Sequence, residues 1–310
     1  LTNQLLERVT LGESLRSGRA AETASAGGAD LGRRLEEAVT TVVGLNRFSV
    51  RLDWVLGALA AGAVMLGAWR LVRADARDRV LGVVLLGLAA LVYLLRFADG
   101  WGFVPGLLTA SPLAAAGIAI GVTSGRSRAI AVTALGAVPI VWLFQYSGGA
   151  NPQWGARYLL VSGTLLAVLA VCALVDAPMA ARVLVMALAV SVTAAGVAWL
   201  SQRSHAVAGA MEQITARRDD VVISREAHLL REGGAFYTPR SRWLTAVGDG
   251  DLRRAVAIAD AAGADRVAVV QLVEARRPRE LGPFERRSTR RLEFLPGLDI
   301  AVTLYTRPSV

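Results

Sequence analysis

The sequence predicts an α-helical polytopic membrane protein with about six transmembrane helices, followed by a small extracytoplasmic α/β domain. Three observations carry that expectation. Hydrophobic residues make up 54% of the 310 residues and charged residues only 19%, whereas an average soluble domain carries about 25% charge. Six stretches contain no charged residue at all: 54–69, 80–95, 100–125, 129–156, 158–175 and 183–202. Beyond residue 203 the texture changes, with eighteen arginines and fourteen acidic residues in the last part of the chain. The domains expected are therefore 1–50, 51–202 and 203–310.

Residues 1–50 are polar, with one amphipathic stretch at 31–45. Leu31, Leu35, Val39, Val42, Val43 and Leu45 recur at helical spacing, with Arg33, Arg34, Glu36 and Glu37 between them. Asp30 is a candidate cap for this helix. The chain opens at Leu1 with no initiator Met, basic n-region or apolar h-region. That start leads to the expectation that further sequence precedes it.

The six charge-free stretches read as spans. A helix crossing the hydrocarbon needs about 20 mostly apolar residues. The two shortest stretches give about 24 Å of helix at the standard rise, and flanking arginines extend them by snorkelling. In the third stretch, Pro105 and Pro112 place the span proper from about Gly106. In the fourth, residues 146–157 read as a loop. Trp101, Phe103, Trp142, Tyr146, Trp154 and Tyr158 gather at one boundary, where amphipathic rings are favoured.

Arginine placement sets the expected orientation. Alternate turns hold Arg70, Arg73, Arg77, Arg79, Arg126, Arg128 and Arg182, against Arg96 and Arg157 in the other set. The seven-arginine side reads as cytoplasmic, although Arg47, Arg51 and Arg203 narrow the difference. Both chain ends then lie outside a bacterial plasma membrane.

In the last domain, 221–224, 243–247, 266–273 and 300–305 read as strands. A helix is expected over 252–262, capped by Asp251 and closed by Gly263, and a shorter one over 226–231. Alternating helices and strands favour an α/β layer. The run 276–291 contains Arg276, Arg277, Arg279, Arg286, Arg287, Arg290 and Arg291. It reads first as a solvated loop between strands, and second as a phospholipid-facing patch.

Composition removes several chemistries. All 34 basic residues are arginine, so no lysine Schiff base or phosphate-loop lysine exists. A lone Cys172 forms no internal disulfide and is expected to pack as a small buried hydrophobe. His205 and His228 lie in no zinc-ligand pattern. No cofactor or metal is expected, and no nucleic-acid partner. The informative ionisable groups are those at the span ends: Asp53, Arg96, Asp99 and Arg157. Arg96 and Asp99 lie three apart and can pair across one helical turn. Arg157, in Gln153-Trp154-Gly155-Ala156-Arg157-Tyr158, combines a phosphate-binding fork with interface aromatics, although it serves equally as a snorkelling anchor.

The loop ending Trp154-Gly155-Ala156-Arg157-Tyr158-Leu159, followed by a span, resembles the later helices of GT-C membrane glycosyltransferases. So does the turn Phe103-Val104-Pro105-Gly106-Leu107-Leu108 leading into Ser111-Pro112. The closest type is the polyprenyl-phosphate-sugar-dependent group, similar to protein mannosyltransferases and aminoarabinose transferases. This resemblance implies sugar transfer from a polyprenyl-phosphate carrier to an extracytoplasmic acceptor, with membrane lipids around the site. It implies that Arg157 and Arg96 bind the lipid phosphate and that Trp154, Tyr158 and Asp99 line the substrate path. The family's catalytic carboxylate sits in an earlier outer loop that nothing here matches, so this chain alone is expected to be inactive. A non-enzymatic membrane protein whose outer domain binds an envelope partner is the alternative. A transporter ranks last, because neither intramembrane charges nor repeats are seen.

Overall fold

The computed structural model describes residues 31–45, 51–73, 76–98, 105–121, 125–144, 156, 159–217, 219–225, 241–275, 279–295 and 298–308. The chain divides into two compact units, Leu1–Val197 and Ala198–Val310.

The first unit is helical. Its elements are α1 (Leu31–Val43), α2 (Arg51–Arg73), α3 (Ala76–Ala98), α4 (Leu107–Ala110), α5 (Pro112–Ile120), α6 (Gly125–Phe144), α7 (Leu160–Val175) and the start of α8 (Met179–Thr215). Among the described residues, three helices are long and apolar enough to cross a bilayer: Asp53–Arg73, Arg77–Ala98 and Met179–Thr215. Two others, Ser127–Val141 and Leu160–Val175, are apolar but shorter.

The third charge-free stretch departs from a single span. Its described part breaks at Ser111, between the four residues of α4 and the nine of α5. Proline disfavours helical backbone at the residue before it and has no N–H to continue a helix. Ser111 accordingly sits at φ −126° and ψ 88°, and its hydroxyl accepts from Ala114 N at 3.2 Å, capping α5. At 1.5 Å per residue, α5 is only about 14 Å long.

Small residues let these helices approach closely. Gly67 of α2 faces Gly82 of α3, and Ala60, Ala61, Val64, Ala68 and Ala89 are fully buried. At Gly117 of α5 an added Cβ would meet the carbonyl of Leu166 on α7. Only a glycine allows backbone-to-backbone packing there. The packed face of α7 carries Ser162, Gly163, Leu166, Leu169, Ala170 and Leu174. Cys172 falls on the opposite face and is exposed, which corrects the expectation of a buried thiol. On α2, Gly62 has open space where Gly57 and Gly67 have close neighbours.

The second unit contains the end of α8, then β1 (Val221–Ser224), β2 (Arg242–Thr245), α9 (Asp249–Ala261), β3 (Arg266–Leu272), β4 (Glu280–Leu281), β5 (Phe284–Leu295) and β6 (Leu298–Thr306). One mixed sheet runs in the order β2-β1-β3-β6-β5-β4, with β1 parallel to both β2 and β3. Alternation along the strands builds two cores. Val221, Ile223, Val267, Val269 and Tyr305 pack with Leu252, Ala255, Val256 and Ala259 of α9. Val222, Ala268, Val270, Ile300 and Val302 pack with Val207, Ala210, Met211 and Ile214 of α8. A sheet layered between two helices follows directly from that period of two.

Two local expectations are corrected here. Asp251 is not the cap of α9: Gly248 holds that position, and the Asp251 carboxylate accepts from Gly248 N at 3.3 Å from three residues inside. Gly263 closes the helix at φ +70°, as its type requires. From Phe284 on, the arginine run is strand and not loop, with Arg286, Arg287, Arg290 and Arg291 exposed on the twelve-residue β5, while Arg276 and Arg277 lie outside the described residues. The buried Phe284, Leu292 and Phe294 anchor that strand, and its charges protect a sheet margin from further pairing. The helix expected over 226–231 lies outside the described residues.

Candidate functional site

Several helix termini meet at one end of the helical unit. The first is the C-terminus of α1, whose last turn continues to Gly44, where Gly44 N donates to Thr40 O at 2.8 Å. The Gly44 carbonyl then accepts from Gly106 N at 2.8 Å and from the Thr109 hydroxyl at 2.7 Å. Thr109 is fully buried, so its hydroxyl requires that acceptor. Gly57, in the first turns of α2, lies against the Val43 carbonyl, and Leu45 is fully buried beside it. The amphipathic helix is therefore docked into the helical unit by its C-terminal end, while Leu35 and Val39 stay exposed.

The second feature is an ion pair between α2 and α3. Arg96 donates from Nη2 to Oδ1 of Asp53, and the Asp53 side chain is 4% exposed against 22% for Arg96. Each charge suits its place. Asp53 sits in the first turn of α2 and Arg96 in the last turn of α3, where helix dipoles favour an anion and a cation respectively. At the other end of the same hairpin, Arg70 in the last turn of α2 donates to Asp78 in the first turn of α3. One register generates both pairs and the Gly67–Gly82 contact between them.

Tyr93 lies one turn before Arg96. It is buried, and its hydroxyl has no hydrogen-bond partner among the described residues. Two further termini are the starts of α4 and α7, where Gly163 of α7 faces Leu107 of α4. Just before α7, Ala156 takes a left-handed backbone at φ 50°, and its carbonyl accepts from Leu159 N at 2.6 Å. Left-handed backbone in a residue with a Cβ costs about 1–2 kcal/mol, so the surrounding packing holds this turn in place. Both Ala156 and Leu159 are buried.

Of the residues singled out from the sequence, Arg96 lies in this cluster. Asp99, Trp154, Arg157 and Tyr158 lie outside the described residues, so the expected Arg96–Asp99 pairing falls there too. Among the described residues, Arg96 meets the carboxylate of Asp53, 43 positions earlier. Local spacing pointed to Asp99, and the hairpin register adds Asp53. Thr109 and Gly44 carried no sequence signal, because a threonine near a proline reads as ordinary helix-start chemistry.

Chemically, this end of the molecule offers a guanidinium beside a buried carboxylate and an unpartnered phenol. A strained turn leads from it into Arg157. Such groups can hold and orient an anion, and a guanidinium matches a phosphate through its fork of donors. No protein-family model, curated protein or solved structure matches the chain.

Proposed function

We propose that the chain supplies the later helices and outer domain of an integral-membrane glycosyltransferase. The donor is a sugar on a polyprenyl-phosphate carrier, and the acceptor is extracytoplasmic. The observation that carries this reading is the meeting of the α1, α4 and α7 ends with the start of α2, which also carries the Asp53–Arg96 pair, with Arg157 next in sequence after the strained Ala156. In this reading six spans cross a bacterial plasma membrane and this end faces outward. Arg96 and Arg157 hold the carrier phosphate, stabilising the charge that develops as the sugar leaves. Trp154, Tyr158 and Asp99 line the path, while the catalytic carboxylate lies elsewhere in the whole protein.

The test is transfer from a radiolabelled polyprenyl-phosphate hexose, measured in membranes containing the whole protein. Arg157→Ala should cut transfer about tenfold or more, and Arg157→Lys should restore only part, because a point charge lacks the fork. Wild-type transfer by the Ala variant removes Arg157 from the reaction. A second reading is favoured by the compact second unit with its own two cores: a non-enzymatic membrane protein whose outer domain binds an envelope partner. On that reading Arg157→Ala is harmless and substitutions on exposed β5 abolish binding.

A further inference from the structure

The opposite end of the α2–α3 hairpin carries a cluster that the transfer reaction does not use. Trp69, in the last turn of α2, is half-buried against the helical core. Two guanidiniums lie over its ring, Arg70 at 5.1 Å and Arg73 at 5.5 Å from the centroid. Arg70 is also paired with Asp78 across the hairpin, and its Nε is buried with no hydrogen-bond partner among the described residues. Arg73, Arg77 and Arg79 are exposed on either side of the turn.

This placement has a physical meaning. Both helices are long and apolar enough to span a bilayer, so their joined ends stand at headgroup level. Arginines needed only as interface anchors would point into water independently of one another. Here the indole holds two of them over one ring, which fixes their forks before any ligand arrives and lowers the ordering cost of binding. Residues 70–79 hold four arginines, Arg70, Arg73, Arg77 and Arg79, against two aspartates, Asp75 and Asp78. Positive charge is therefore left over at the depth where lipid phosphates lie.

We infer that Trp69, Arg70, Arg73 and Arg77 form a binding site for the phosphate of an anionic glycerophospholipid. The Arg73 and Arg77 guanidiniums supply the main contacts, and Asp78 sets the position of Arg70. The inference needs only the span-length hairpin and is independent of the glycosyltransferase reading.

The experiment uses the full chain, purified from nanodiscs made with equal phosphatidylglycerol and phosphatidylcholine, with the retained lipid counted by native mass spectrometry. We expect phosphatidylglycerol to be enriched about fivefold or more, the ratio one arginine–headgroup contact supplies. The R73Q/R77Q variant should fall to the bulk ratio. These side chains are exposed, and unchanged far-UV circular dichroism confirms the fold. R73K/R77K should recover only part of the enrichment, because it keeps charge and loses stacking. Equal retention of the two lipids by the wild type overturns the inference, as does enrichment that survives R73Q/R77Q. Full recovery in R73K/R77K reduces the site to unspecific attraction and also overturns it. Loss of the bound lipid on adding excess inorganic phosphate reassigns the site to a soluble anion.

Discussion

The two ends of the α2–α3 hairpin each pair an aspartate that opens one helix with an arginine that closes the other, yet they differ in burial. At one end Asp53 and Arg96 are 4% and 22% exposed; at the other Arg70 and Asp78 are 31% and 41% exposed. Helix dipoles favour both pairs equally, since each acid opens a helix and each arginine closes one. The difference comes from what surrounds them. The α1 terminus docks beside Gly57, one turn from Asp53, whereas the Arg70 end holds the Trp69 ring and further exposed arginines. Helix ends therefore specify the pairing, and tertiary packing decides whether it is structural. The buried pair is a clamp whose halves depend on each other and whose only exposed part is the Arg96 side chain, while the more exposed pair leaves more charge available to a ligand.

The sharpest break of that comparison is removal of one half of the clamp. Arg96→Ala leaves the Asp53 carboxylate buried and unpaired, and losing one partner of a buried pair costs about 3–5 kcal/mol. Asp53→Ala should cost less, because the Arg96 side chain still reaches solvent. Replacing both with apolar residues of similar volume, D53L/R96M, should recover most of the loss. Unfolding of the purified protein in detergent, followed by far-UV circular dichroism, measures all three. Equal losses for the two single variants would falsify the burial argument.

A smaller effect is expected where α1 docks. In Gly57→Ala the new Cβ runs into the Val43 carbonyl, and backbone cannot move aside as a side chain does. Overpacking of this kind costs about 1–3 kcal/mol. The control is Gly62→Ala on the same helix, where nothing lies within 4 Å of the new Cβ. Alanine there should be neutral or stabilise by up to about 1 kcal/mol through helix propensity. The same unfolding assay separates the two, and similar results for both glycines would show that α1 is not docked.

These sites also mark where the sequence was legible. Long charge-free runs flanked by arginine identified α2, α3 and α8, because hydrocarbon thickness acts on any such run alike. Strong alternation and a closing glycine located β1, β3, β6 and α9 within a few residues. What stayed hidden depends on partners distant in the chain. Composition cannot show that Pro112 splits an apolar stretch into two short helices. The apolar anchors of β5 were masked by seven arginines in sixteen residues, a density that reads as loop. Asp53 was visible as a span-end carboxylate, but its partner followed only from the hairpin register. Arg96 also has an acid three residues on, Asp99, so local spacing gave no reason to look 43 positions back.

The smallest effect is expected at the exposed end, and its smallness is informative. Asp78→Asn removes the Arg70 partner and one negative charge from the first turn of α3. Both losses are screened by solvent, so together they should cost below about 1 kcal/mol. Added salt should erase most of the difference from wild type, because exposed pairs lose their attraction beyond a Debye length of about 10 Å at 0.1 M. The Asp53–Arg96 clamp should keep its contribution in the same salt, being shielded from ions. Lipid retention should respond in the opposite direction to stability. With Asp78 neutral, Arg70 has no internal carboxylate to satisfy, and phosphatidylglycerol enrichment should rise above wild type. A variant that lowers stability slightly while raising lipid preference separates the two roles of one arginine. A fall in lipid retention would instead show that Asp78 is needed to hold Arg70 over the Trp69 ring.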